Sequence, residues 1–107
     1  MKTKPGEDQE VLDRFRAFTF CEYCKKPLKY DAEPAHILSK GAGRADIPEN
    51  IVALGGPRDC GCHQRSHYSG IPSTSALFEI AAAREKTTAE ACRLKVYEIR
   101  RKRWRKA

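Results

Sequence analysis

Val11, Phe15 and Phe18 recur at intervals of four and three residues, and this period predicts a short amphipathic helix over Glu7 to Phe18. Two short apolar runs follow, Glu33 to Leu38 and Asn50 to Leu54, each bounded by turn formers, and they predict two paired strands. The segment between them, SKGAGRADIPE, is Gly-rich and polar and predicts a loop. From about Asp59 to Tyr68 the spacing of His63 and His67 is one helical turn, which places both imidazoles on one face. Pro72 closes that unit, and a further helix is predicted from about Ser73 to Glu85. Thr87-Thr88-Ala89-Glu90 reads as a capping box that opens a last helix, in which Ala89, Cys92, Val96 and Ile99 form one apolar stripe facing the core. Beyond Ile99, RRKRWRK has no apolar face except Trp104 and is expected to fray or to order only on a partner. No internal repeat and no second domain is visible, so one α+β domain over residues 1–107 is expected.

Composition narrows the class. A chain of 107 residues buries a modest core and gains from a metal staple. Its five Cys suit that need, whereas an odd number does not suit a secreted disulfide framework. The chain shows neither a signal-peptide pattern nor an apolar run of membrane-spanning length, so a cytoplasmic location with reduced, metal-bound Cys is expected. The net charge of +7 is concentrated at one end: residues 84–107 hold ten Lys or Arg against three Glu, and residues 1–83 are neutral overall. A localised basic end predicts a polyanion partner, because neutralising phosphates releases condensed counterions. Cys92 lies on the apolar stripe and reads as a buried core thiol.

The chemistry concentrates between Cys21 and His67, which read CEYCKKPLKYDAEPAHILSKGAGRADIPENIVALGGPRDCGCHQRSH. Cys-x-x-Cys, Ala-His-Ile, Glu-Asn-Ile and Cys-His-x-x-x-His follow one another in an order that resembles the HNH endonuclease family, in particular its small stand-alone phage- or prophage-type members. The family's three characteristic residues map onto His36, Asn50 and His63. The resemblance spans roughly residues 20–68, with 73–107 as a basic helical extension. It implies a ββα-metal core stapled by a zinc knuckle, acting as a metal-dependent DNA endonuclease that nicks with low sequence specificity.

By the same resemblance His36 is the general base, a task imidazole suits because its pKa lies near working pH. His63 and His67 are implied ligands of one catalytic divalent ion, which meets the charge developing on the phosphate and leaving oxygen, with a phosphate contact or a place in the knuckle as the alternatives for His67. Asn50 is implied either to bridge the strands and hold the loop that aims His36 or to reach the metal region directly. The chain departs from the family pattern at Ala35, where many members carry a metal ligand. Either the ion then has fewer protein ligands and more water, or Glu33, on the same strand face, or Asp31 reaches in. Such a donor set favours Mn²⁺ or Mg²⁺, with Zn²⁺ and Ni²⁺ as the other candidates. In the knuckle Asp59 stands three residues before Cys62, and Gly55 follows Leu54 where Cys is often found. GGPRDCGC therefore reads as a small insertion, and Cys21, Cys24, Cys60 and Cys62 make a four-thiolate structural zinc site.

Lys40 and Arg44, in a loop of small residues, are candidate phosphate contacts, and Arg100, Arg101, Arg103 and Trp104 are candidates for DNA binding at the basic end. Double-stranded DNA is the expected partner of a monomer or weak homodimer, with phage packaging proteins as further expected partners. The rival expectation is a non-catalytic zinc-stapled nucleic-acid-binding module.

Overall fold

The computed structural model describes residues 8–38 and 45–105, with side chains to Lys102. Asp8 caps the first helix, α1 (Gln9–Arg16), by accepting from the N–H groups of Glu10 and Val11 at 3.1 and 3.3 Å. This helix is shorter than Glu7 to Phe18. Glu7 lies outside the described residues, and Phe18 falls beyond the C-cap Ala17, where its ring stacks on Phe15 with centroids 5.5 Å apart.

Strands β1 (Glu33–His36) and β2 (Ile51–Leu54) pair antiparallel, with Glu33 opposite Leu54 and His36 opposite Ile51. All of β2 is buried because both faces of the hairpin are covered. Ile51 and Ala53 pack with Leu12 and Phe15 of α1. Val52 and Leu54 pack with Ala35 and with side chains of two later helices, α3 (Thr74–Glu85) and α4 (Ala89–Arg105). Alternate residues of a strand point to opposite faces, so a strand covered on both sides reads as the unbroken apolar run Ile-Val-Ala-Leu. β1 ends at His36, two residues short of Leu38. Asn50 closes a 3₁₀ turn, Pro48–Asn50, instead of opening the strand. The fixed φ of Pro48 suits the first position of such a turn.

The next helix, α2 (Cys62–Tyr68), completes the ββα order. It starts at Cys62 rather than Asp59, because Gly61 at its N-cap has a left-handed φ of 72° that glycine adopts without a Cβ clash. Asp59 instead accepts from the N–H groups of Lys29 and Tyr30 at 2.9 and 3.2 Å, tying this turn to the segment before β1. At α4 the cap is Thr88, whose hydroxyl accepts from Ala91 N–H at 3.1 Å. The predicted capping box therefore moves by one residue, and Glu90 loses its place in it. Cys92 and Val96 are fully buried, and Ala89 and Ile99 pack beside them. The helix continues to Arg105 without a break at Ile99.

Arg84 joins the parts. Its guanidinium donates to Glu22 at 2.7 Å, to Glu85 at 2.6 Å, and to the backbone carbonyls of Pro48 and Ile51, and it lies 4.6 Å from the Phe15 ring centroid. Glu22 also seals the outer edge of β2: its N–H donates to Ala53 O at 2.8 Å, and its carboxylate accepts from Ala53 N–H at 2.9 Å. One cation thus links α3, the Cys21–Cys24 turn, β2 and α1. By charge count Arg84 belongs to the basic end, but it is engaged inside the fold. Lys95 pairs with Glu49 at 2.9 Å, and that contact raises its pKa. Among the described residues no helix is long and apolar enough to cross a membrane.

Candidate functional site

Two clusters of chemistry-bearing side chains meet on α2. The first is made of thiols. Cys21 and Cys24 lie in a tight turn closed by Lys25 N–H donating to Cys21 O (2.9 Å) and Cys21 N–H donating to Lys26 O (3.0 Å), with Lys25 at a left-handed φ of 67°. Cys60 and Cys62 approach from the turn and first residue of α2. All four Sγ atoms lie within 4.8 Å of one another, Cys21 and Cys62 are buried, and no disulfide joins them. Tetrahedral zinc with bonds of about 2.3 Å needs sulfur atoms roughly 3.8 Å apart, so this set fits one ion after small side-chain adjustments.

Burial pushes the Cys62 thiol well above its ordinary pKa, and hydrogen bonds with Cys60 and Cys21 add to the shift. Only a cation makes four thiolates favourable here, and binding it releases their protons. Gly55 belongs to the same design. A Cβ there would collide with Cys60 Sγ and stand 3.0 Å from Leu28 Cδ2, so the backbone passes where only glycine fits. The four cysteines can hold one structural metal ion such as zinc. Cys92 stays apart in the core, its pKa also raised by burial.

The second cluster is made of imidazoles and carboxylates. His63 and His67 face each other across one turn of α2, with their Nε2 atoms 3.2 Å apart. Two ring nitrogens sharing one ion at about 2.1 Å stand roughly 3.0–3.4 Å apart, so the pair suits a common ion. His63 Nδ1 lies 2.7 Å from Glu33 Oε1, which also accepts from Gln64 Nε2 at 3.2 Å. Glu33 therefore grips the far side of the His63 ring and does not join the two facing nitrogens. A carboxylate on Nδ1 fixes the tautomer that presents a bare Nε2 toward a metal.

His36, at the end of β1, lines a cavity of about 150 Å³ together with His67, Ser66, Gly70, Pro72 and Leu77. The hairpin and α2 thus bring His36 and His67 to one concavity. Asn50 is fully buried and works on the backbone: its Oδ1 accepts from Leu38 N–H at 2.9 Å, and its Nδ2 donates to Ala45 O at 3.0 Å and Leu38 O at 3.3 Å. It ties together the described residues on either side of the loop that follows His36.

The sequence reading missed one member. Asp46, fully buried, sets Oδ1 2.6 Å from His36 Nε2 and accepts from Asp8 N–H through Oδ2 at 2.9 Å. Asp46 belongs to a segment whose Gly-rich, polar composition reads as plain loop. Its only signal was local, an acid set between the apolar residues Ala45 and Ile47. Lys40 and Arg44 lie outside the described residues. Arg100 is half-buried and Arg101 exposed on α4, while Arg103 and Trp104 lie on its helical backbone.

No family model, no curated protein and no solved structure matches this chain.

Proposed function

We propose that this protein is a metal-dependent DNA endonuclease of HNH type, with His36 as general base and His63 and His67 as ligands of a catalytic divalent ion. The observation that carries this reading is the facing pair of Nε2 atoms, 3.2 Å apart, on a helix whose His67 shares a cavity with His36. A base and an ion must flank one phosphodiester to act on it together, and a shared concavity is the arrangement that allows this.

In this reading His36 accepts the proton of the water that attacks phosphorus. Asn50 holds the backbone on either side of the following loop so that His36 keeps its aim. Glu33 orients His63 through Nδ1 and acts as a positioning residue, not as the replacement ligand for Ala35. The ion supplies positive charge for the phosphate and the departing oxygen. The thiol cluster, with zinc as its favoured ion, holds the start of α2, since Cys62 directly precedes His63. Arg101, exposed on α4, contributes charge for a DNA backbone.

Cleavage of supercoiled plasmid tests the reading, with wild type and His36→Ala compared at equal zinc content across Mg²⁺, Mn²⁺, Ni²⁺, Zn²⁺ and EDTA. Open-circle product that depends on a divalent ion and drops about 10²- to 10⁴-fold in the variant is expected. DNA binding by both proteins without cleavage under any ion would leave the zinc-stapled binding module as the function.

A further inference from the structure

We propose that the outer face of α4 is a pairing surface for a second copy of this chain. The two helices meet antiparallel, so that Leu94 of each copy packs on Tyr97 of the other and Glu90 of each faces Arg101 of the other.

Glu90, Leu94, Tyr97 and Arg101 follow one another at intervals of four, three and four residues. At about 100° per residue they fall in one narrow stripe, roughly 150° round the helix from the stripe of Ala89, Cys92, Val96 and Ile99 that packs on the core. All four are exposed, Leu94 by 55% and Tyr97 by 46%, so the fold leaves two large apolar side chains in water between two opposite charges. Charged neighbours off the stripe are engaged: Arg93 lies 4.6 Å from the Phe78 ring centroid, and Lys95 pairs with Glu49. Among the described residues no side-chain hydrogen bond or ion pair engages Glu90 or Arg101.

Alternating steps of four and three are the spacing of a seam between two helices. The order of this seam, acid, Leu, Tyr, base, is complementary to its own reverse. A twofold axis passing between Lys95 and Val96 sets Glu90 level with Arg101 and Leu94 level with Tyr97 of the second copy. One patch then serves both copies, as closed twofold symmetry requires. A parallel pairing would set Glu90 on Glu90 and Arg101 on Arg101, and like charges opposed across an interface are penalised. The charges therefore select the antiparallel orientation.

Four side chains per copy cover less than the roughly 1,200 Å² of a stable complex, so the pairing is weak and rises with concentration. A guanidinium carries five donors, so Arg101 can meet one carboxylate and still face a phosphate. The pairing does not depend on the endonuclease reading; on that reading, a pair carries two cleavage sites where one copy carries one.

Sedimentation velocity of the zinc-loaded full chain, without DNA and from low to high micromolar concentration, tests the proposal. Wild type should show a monomer–dimer equilibrium. Arg101→Glu and Glu90→Arg should each weaken pairing about tenfold, because each sets like charges opposite one another at both ends of the seam. The two variants mixed should pair with each other about as well as wild type pairs with itself, because mixing restores an acid opposite a base at both ends. Both substituted side chains are exposed, so thermal melting should stay unchanged. A wild type that is monomeric throughout overturns the proposal, whatever the variants do. So does a dimer indifferent to both substitutions, and so does a mixture that pairs no better than either variant alone.

Discussion

α2 carries two different clusters that begin at adjacent residues, Cys62 and His63. At Cys62 four sulfur atoms converge with few other partners. At His63 and His67 every ring has a neighbour: Glu33 on Nδ1 of His63, and the two Nε2 atoms on each other. The thiol cluster declares its chemistry through its donor set, because four converging thiols with a raised pKa at Cys62 gain little from the fold except around a cation. The imidazole cluster is ordered by its partners, with Glu33 on Nδ1 of His63 and Asp46 on Nε2 of His36. Stability should therefore rest on the first cluster, and activity on the orientation of the second.

The largest break in that contrast is removal of a thiolate. Cys62→Ser should abolish cooperative thermal unfolding and zinc retention together, because structural zinc is worth about 10–16 kcal/mol in small domains, as much as a whole domain's stability of about 5–15 kcal/mol. Calorimetry with metal analysis reads both. Next comes the Arg84 clamp. Arg84→Met leaves the buried carboxylate of Glu22 without its cation, only the Ala53 N–H remaining, and should cost about 3–5 kcal/mol in urea unfolding. Adding Glu22→Gln should recover part of that loss, because the stranded charge is gone. Zinc content should not change in either protein.

Asn50→Ala should cost less, about 1–3 kcal/mol, from buried backbone groups of Leu38 and Ala45 left without their amide. Its effect on nicking should exceed its effect on melting, since it releases the loop beside His36 and Asp46 while leaving the thiols untouched. Equal losses in both would place Asn50 with the scaffold.

The same contrast explains what the sequence disclosed. Cys21 and Cys24 were readable because a tight turn forces a fixed ligand spacing, and Cys60 became readable once Gly55 and Asp59 were seen to displace the second pair. The hairpin was legible from its apolar runs, although Asn50 passed for a strand residue because a 3₁₀ turn has no period to read. The carboxylate partners were hidden. Asp46 pairs with His36 across ten positions through a loop of low-information composition. Glu33 could be placed near the site but not on a particular nitrogen. Arg84 was indistinguishable in charge from its exposed neighbours, and only packing against Phe15 and Glu22 separates it from them. Periodicity reports burial along one element; it does not report which distant polar groups meet.

On the proposed endonuclease reading α2 holds a second, catalytic metal beside the one the four cysteines can bind, and native mass spectrometry of bound metal tests that proposal most directly. Zinc-purified wild type titrated with Mn²⁺ should carry one zinc and take up a second ion, and the double variant His63→Ala/His67→Ala should keep the zinc and lose only the second ion. Loss of zinc from the double variant, or a wild type that never binds a second ion, would contradict the division of α2 into a structural and a catalytic end.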